Sequence, residues 1–544
     1  MAARDVVIAL VAAGCLFLLD LGTGGRNLML FAAAASGLNL ITGMAGQLSL
    51  GHAAIFGVGA FTAGAAATRL DLSWPSSLIL VIAVSALAGL IFGAPSIRLR
   101  GQFLGLVTIA GGFVFVRVVR QSDVLGGEYG LGEIPSFARG TADLSAFILL
   151  AVSTWLLILV SRAAVGRILA AVKDDEEAAA CLGIDVARWK LTAFVAGSSL
   201  AGVCGFLLAH RDGFLSASYF DLDASLMLLM VCIVGGLGRP VGAIVGTAIL
   251  VAPFELWPAL ERMELLITAP VALAVLFLMP DGVLGAVRRR RGLSGIGPMP
   301  VPEKATDLSP RPHDAVLSAE GICKKFGGVT ALDDVSLLVE PGTIHALIGP
   351  NGSGKTTFVD CITAVTPRDA GSTRLGDVDV SGIAPHQIAR LGVRRTFQRV
   401  SQFPTMNLLE SAAVGVSSSH ASEALRAIEG SGLDIEPSMS SSALSYGQTK
   451  RLEIARAIAA RPAILILDEP ASGMDATEIS GLARVLRDQK EQGAGVLVID
   501  HHMDFVFEIA DVITVLDEGR VIARGTPAEV RDDSAVISAY LGPS

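Results

Sequence analysis

The sequence predicts a membrane α-helical bundle of about eight to ten spans followed by an α/β nucleotide-binding domain. Three observations carry that expectation. Residues 1–287 form a series of long apolar runs broken by short polar turns. Gly349-Pro350-Asn351-Gly352-Ser353-Gly354-Lys355-Thr356 has the form Gly-x-x-x-x-Gly-Lys-[Ser/Thr], a complete phosphate-binding loop. Ile464-Leu465-Ile466-Leu467-Asp468-Glu469 is an apolar strand that ends in two carboxylates.

Composition supports the division. The 544 residues are 52% hydrophobic and only 17% charged, with a mean hydropathy of +0.60. Soluble chains carry about a quarter charged residues, so the balance leans towards a membrane. The net charge of −9 is uneven: 20 Lys and Arg face 19 Asp and Glu up to Arg291, and 22 face 32 beyond it. An acidic second half argues against a nucleic-acid partner, which needs a basic face. The six cysteines, Cys15, Cys181, Cys204, Cys232, Cys323 and Cys361, show no Cys-x-x-Cys spacing, so buried thiols in a reducing compartment are expected.

Apolar stretches fall at 6–21, 27–42, 48–68, 74–94, 103–119, 144–161, 190–209, 224–257 and 265–280. The eighth is long enough for two passes around Gly238-Arg239-Pro240. The first follows Arg4 and has no small-residue cleavage site after it, so it reads as an anchor retained in the membrane. Arg288–Arg291 follow the last run directly, and the positive-inside rule places them in the cytoplasm. Residues 43–64 hold six glycines with Gln47, Ser49 and His52. Close packing through small residues is the first explanation, and a broken helix lining a substrate path the second. Residues 166–184 interrupt the series with a charged, alanine-rich helical segment. Residues 288–313, rich in Pro, Gly and Ser, read as a linker between a membrane domain over 1–287 and a second domain over 314–544.

In the second domain the phosphate loop falls between a short apolar strand and a helix, where the helix N-terminus favours anions. Lys355 is placed to reach the outer phosphates of ATP and Thr356 to ligate Mg²⁺, with Thr357 next in the same helix. Asp468 is expected to hold the metal's water shell, and Glu469 to orient or deprotonate an attacking water.

Leu444-Ser445-Tyr446-Gly447-Gln448, leading into Arg451-Leu452-Glu453-Ile454-Ala455-Arg456-Ala457, resembles the signature segment of ABC-transporter ATPases. The resemblance implies roles for further residues. Phe326 corresponds to the aromatic that stacks on adenine. Gln398, after Thr396-Phe397, corresponds to the glutamine that senses the metal. His501 corresponds to the switch histidine, with His502 second in line. Ser445, Gly447 and Gln448 would complete the ATP site of a partner ATPase.

Arg395-Thr396-Phe397-Gln398, Tyr446 and the ending Ala539-Tyr540-Leu541-Gly542 narrow the likeness to ATPases of branched-chain amino acid importers. Met44–His52, Arg98-Leu99-Arg100-Gly101 and Val234–Gly238 resemble the permease of the same system. Glu177-Ala178-Ala179 with Gly183 resembles the loop by which importer permeases couple to their ATPases. The resemblance implies ATP-driven import of a small solute across the bacterial inner membrane, with a second ATPase, a second permease and an extracytoplasmic solute-binding protein as partners. Branched-chain or other hydrophobic amino acids are the expected solute and urea or short amides the alternative. A half-size exporter or lipid flippase is the rival of another class. Fusion of permease to ATPase departs from the separate subunits of that family, and the stretch from Phe403 to Leu444 is shorter than the family's helical subdomain.

Overall fold

The computed structural model describes residues 2–20, 28–290, 315–416, 421–433 and 435–541. It divides into two compact units, Met1–Lys173 with Val186–Leu293, and Asp174–Asp185 with Ser294–Ser544. Of the expected linker at 288–313, Arg288–Arg290 close the helix Gly282–Arg290, and the remainder lies outside the described residues.

In the first unit every described element of any length is helical. A bilayer core offers no water to backbone N–H and C=O groups, so a spanning segment must satisfy them internally. Six described helices are long and apolar enough to cross: Trp74–Ile97, Gln102–Gln121, Gly140–Arg162, Val186–Asp212, Ala217–Gly235 and Leu266–Val287. Three apolar helices are shorter, Val6–Leu18, Leu28–Met44 and His52–Thr68. The stretch 224–257 does turn back at Gly236–Val241, and its return pass consists of two consecutive short helices, Gly242–Leu250 and Ala252–Leu256, together shorter than a full span. Large apolar side chains face outwards, Phe277 at 88% exposure and Ile79 at 70%. Inside, small residues let helices approach closely between buried large ones such as Phe61, Phe194 and Phe220. A Cβ on Gly59 would lie 2.4 Å from Gly202 Cα, so His52–Thr68 and Val186–Asp212 meet backbone to backbone.

The glycine-rich stretch holds both close packing through small residues and a break in the helix. A π-helical turn, Asn39–Met44, runs into non-helical Ala45–Gly51 before the next helix begins at His52. Side chains from other helices satisfy the unwound backbone. Thr108 Oγ1 accepts from Leu50 N–H at 2.9 Å and Ser225 Oγ from Ala53 N–H at 3.1 Å. Gln47 Nε2 in turn donates to Lys190 C=O at 3.2 Å. Beyond the break, Gly57 and Gly59 serve close packing against Phe115, Phe220 and Gly202.

The second unit holds two sheets. Strands β1 (Leu317–Phe326), β2 (Val329–Val339), β4 (Ala370–Leu375) and β5 (Val378–Asp379) form an antiparallel sheet in the order β2-β1-β4-β5. The other sheet, in the order β10-β9-β3-β8-β7-β6, joins β3 (Ile344–Ile348), β6 (Val393–Arg395), β7 (Ile464–Asp468), β8 (Gly495–Ile499), β9 (Val512–Asp517) and β10 (Arg520–Gly525). β9, β3, β8, β7 and β6 pair in parallel. Strands β3, β7 and β8 are buried throughout, as their unbroken apolar runs require of strands covered on both faces. All six cysteines are free; four are buried, whereas Cys15 is exposed and Cys323 half-buried, against the expectation of burial.

Candidate functional site

In a parallel sheet, ligands bind beyond the carboxyl ends of the strands. The candidate residues lie there, at the ends of four neighbouring strands. The phosphate loop follows β3, Asp468 ends β7 with Glu469 next, Asp500-His501-His502 follow β8, and Thr396-Phe397-Gln398 follow β6.

The loop Gly349–Gly354 opens the helix Lys355–Ile362, whose N-cap Gly354 has φ +100°. A Cβ there would also lie 2.5 Å from Ala331 C=O, so shape and conformation both call for glycine. Lys355 Nζ donates to the carbonyls of Gly349 and Pro350, each at 2.8 Å, which curls the ammonium over the loop. Burial lowers the Lys355 pKa, and the charges of Glu469 and Asp468 oppose that shift. Ser353 is buried, Asn351 and Gly352 are exposed, and Thr356 and Thr357 are half-buried in the helix's first turn. Phe326 ends β1 half exposed, with Lys324 Nζ 5.2 Å from its ring centroid.

Asp468 is fully buried, and neither carboxylate oxygen receives a hydrogen bond. Burial pushes its pKa up to about 6, Arg395 opposes the shift, and Glu469 adds to it. Arg395 Nη2 stands 3.5 Å from Asp468 Oδ2, and Arg395 Nη1 lies 2.6 Å from Asp360 Oδ1. Buried carboxylate oxygens without donors, beside the helix that presents Thr356, fit a hard cation such as Mg²⁺ or its bound water.

Glu469 has φ +47°, a left-handed conformation that a non-glycine side chain adopts at a cost. Its N–H donates to Ile499 C=O at 2.7 Å, which ties the turn to β8. Gln398 Nε2 donates to Glu469 Oε1 at 3.1 Å, and His501 Nδ1 lies 3.9 Å from Glu469 Oε2. Gln398, Glu469 and His501 thus converge. His502 does not join them: its Nδ1 is 3.0 Å from Asp500 Oδ1. Asp500 also accepts the N–H groups of His501, His502 and Ala471 at 2.8, 3.0 and 2.9 Å, fixing the turn that presents His501.

Ser445 caps the signature helix Tyr446–Ala459 through a reciprocal box. Its Oγ accepts from Gln448 N–H at 3.3 Å, and Gln448 Oε1 accepts from Ser445 N–H at 2.9 Å. Gly447 sits where a Cβ would press on the Glu478 carboxylate at 3.0 Å.

Segment Asp174–Asp185 also lies on this unit. Asp175 caps the short helix Glu176–Cys181, and Gly183, at φ +91°, turns the chain after it. Arg390 Nε donates to Gly183 C=O at 2.9 Å, Thr405 Oγ1 donates to Asp174 Oδ2 at 2.7 Å, and His386 Nε2 lies 3.7 Å from Asp185. A Cβ on Gly415 would lie 2.5 Å from Leu182 C=O, so the surface is shaped closely to the segment.

Three sets of residues escaped the sequence reasoning: Arg395, Asp500, and the buried charges Lys450, Glu453 and Arg456 of the signature helix. Burial pushes Glu453 up to about 7, opposed by Phe397 N–H, Arg456 and Lys450. The available signal was a basic pair, Arg394-Arg395, inside a strand of the parallel sheet.

Comparison with known proteins agrees with this arrangement. A family described as the permease component of branched-chain amino acid transport systems matches residues 23–279, and the ABC transporter family matches 332–472. A branched-chain amino acid ATP-binding cassette family matches 520–542. The high-affinity branched-chain amino acid transport ATP-binding protein BraF of Pseudomonas aeruginosa is 36% identical over 249 residues, 42% of this chain and 98% of its own. The chain belongs to the ABC transporter family.

LivG of Escherichia coli K12, a protein of the same description, is likewise 36% identical over 249 residues, again covering 98% of its own length. The lipopolysaccharide export system ATP-binding protein LptB of E. coli K12 is 34% identical over 236 residues. Among solved structures, a nucleotide-free cassette from an ABC transporter aligns at 28% identity over 42% of this chain and all of its own, with a TM-score of 0.40. This ABC transporter therefore carries a permease and a P-loop ATPase on one chain. It is a multi-pass membrane protein with a cytoplasm-facing cassette, it couples ATP hydrolysis to transport, and it works with partner ABC subunits.

Proposed function

We propose that the chain is one permease–cassette half of an importer that carries branched-chain or other hydrophobic amino acids across the bacterial inner membrane. The observation that carries this reading is the permease match over residues 23–279. The cassette alone sets no direction, since its relatives are named for branched-chain amino acid transport, which states none, and for lipopolysaccharide export. In this proposal Lys355 and the loop amides of Gly349–Gly354 hold the phosphates of ATP, and Phe326 stacks on its base. Thr356, Gln398 and Asp468 hold Mg²⁺, which screens the phosphate charge when bound. Glu469 orients the attacking water, with Gln398 and His501 fixing its carboxylate. Ser445, Gly447 and Gln448 face the nucleotide of a second cassette, and a second permease and an extracytoplasmic solute-binding protein complete the assembly. The second cassette belongs either to another copy of this chain or to a different protein, which native mass spectrometry distinguishes.

Segment Asp174–Asp185 is proposed to relay cassette closure to the spans. Its bonds to Arg390 and Thr405 support this role. Deleting Ala178–Gly183 should abolish uptake while nucleotide binding by the cassette persists; uptake at the normal rate would end the proposal. Labelled-solute uptake by a deletion strain and its complemented parent tests the substrate. Leucine uptake lost and restored supports the reading, whereas loss confined to urea transfers the chain to amide transport.

A further inference from the structure

The signature helix Tyr446–Ala459 buries Thr449, Lys450, Glu453 and Arg456. Their spacing places them along one side of the helix. Buried charges are expensive unless partners answer them. Here all four answer one stretch of chain. Glu453 Oε1 accepts from Phe397 N–H at 2.9 Å, and Lys450 Nζ donates to the carbonyls of Phe397 and Gln398, each at 3.2 Å. Gln402 Nε2 donates to Thr449 Oγ1 at 3.1 Å. Arg456 donates twice to Ser401 C=O, each at 3.2 Å, and its guanidinium lies 4.1 Å from the Phe403 ring centroid.

The stretch continues to the coupling segment. Thr405 donates its N–H and O–H to Asp174 Oδ2 at 3.3 and 2.7 Å. Arg456 also feels the charges of Glu453, Asp175 and Asp174. A hydrogen-bonded route thus runs from Asp174 through residues 405–397 to Gln398, and from Gln398 to Glu469.

We propose that Lys450 and Glu453 are positioning residues for hydrolysis. They lock the Phe397–Gln398 peptide to the signature helix, so that Gln398 meets Glu469 only when that helix and the coupling segment are seated. Apolar side chains would fill the same space without the cost of burying charge; what they cannot do is hold both the N–H and the C=O of Phe397. A displacement of about 1 Å at a positioning group is enough to slow chemistry strongly. The inference rests on the reading of Gln398 and Glu469 as the hydrolytic pair.

The test uses the assembled transporter in lipid nanodiscs with MgATP. Glu453→Ala should lower kcat about tenfold and leave KM for MgATP within about twofold, since the phosphate loop, Thr356 and Asp468 still hold MgATP when Gln398 is displaced. Glu453→Gln keeps an acceptor for Phe397 N–H and should recover most of that loss. Combined with Gln398→Ala, Glu453→Ala should add nothing to the loss caused by Gln398→Ala alone. Should Glu453→Ala not fold, Lys450→Met tests the hold on the carbonyls of Phe397 and Gln398 and should give the same split between kcat and KM. An unchanged kcat in the folded variant, a KM that rises as kcat falls, no recovery by glutamine, or additive losses would each overturn the proposal. If Gln398→Ala itself left kcat unchanged, the reading of the hydrolytic pair would fall instead, and the two failures are told apart by that single variant.

Discussion

Glycine in the membrane unit and glycine in the phosphate loop answer different constraints. Gly59 sits in an ordinary helix, but a Cβ there would lie 2.4 Å from Gly202 Cα. A Cβ on Gly205 would likewise lie 2.4 Å from Phe56 C=O. Gly352 is the reverse case, with nothing within 4 Å of an added Cβ and φ at +85°. The membrane unit uses glycine for want of room, because helices in lipid gain by close backbone contact and not by hiding apolar surface from water. The cassette uses it for backbone direction, because the loop must aim its N–H groups at an anion. The contrast extends to other residues. The membrane unit tolerates exchange among apolar side chains at its surface, whereas the cassette fixes single polar atoms.

The strongest attack on that comparison is Glu469→Gln. If single atoms matter in the cassette, ATP hydrolysis should fall by about 100-fold or more while ATP affinity stays within about twofold. Steady-state turnover beside equilibrium nucleotide binding checks it, and brisk turnover would remove Glu469 from its role.

A reciprocal pair sharpens the glycine contrast. Gly59→Val should destabilise the membrane unit by about 1–3 kcal/mol through overpacking, with nucleotide affinity unchanged. Gly352→Ala should weaken nucleotide binding about tenfold, through the left-handed conformation it must adopt, and leave the melting of the membrane unit alone. Melting curves and nucleotide titrations on both variants decide; crossed effects would break the comparison.

The smallest effect concerns His345, on β3 but away from the phosphates. Its ring nitrogens lie 2.8 Å from Leu338 C=O and 2.8 Å from Thr514 Oγ1. Burial lowers its pKa from 6.5 to about 4; Leu338 C=O opposes the shift and Arg524 adds to it. Below pH 6.5 the unfolded chain takes up a proton that the folded ring refuses, so stability falls with pH and levels off below about 4. The loss should total about 3 kcal/mol for this group. His345→Gln should flatten the pH dependence of cassette melting across that window, and an unchanged slope would refute it.

The cassette was legible in sequence because phosphate and metal chemistry demand particular residue types at particular places. The loop at 349–356 and the pair Asp468-Glu469 announce themselves. His501 and His502 could not be separated from sequence, since which of two adjacent rings approaches Glu469 depends on the turn after the strand; Asp500 supplies that turn, and the two ring centroids lie only 4.5 Å apart. Glu453 and Arg456 were read only as part of a helix-forming run and Lys450 was not singled out, because charges on a helix usually mark its wet face; here partners 45 to 56 residues distant in sequence reverse that rule. In the membrane half the apolar runs located the helices, but uniform hydrophobicity left no period to show where one ends. The return pass, split into Gly242–Leu250 and Ala252–Leu256, is shorter than its apolar run suggested for that reason.

The helix Val186–Asp212 starts one residue after the segment that rests on the cassette, and its 27 residues extend about 40 Å. Zipped to its neighbour at Gly59–Gly202 and Gly205–Phe56, it has no slack in which to bend or slip. Under the proposed relay, such a helix would act as a connecting rod, carrying a displacement at residue 185 along its length towards residue 212.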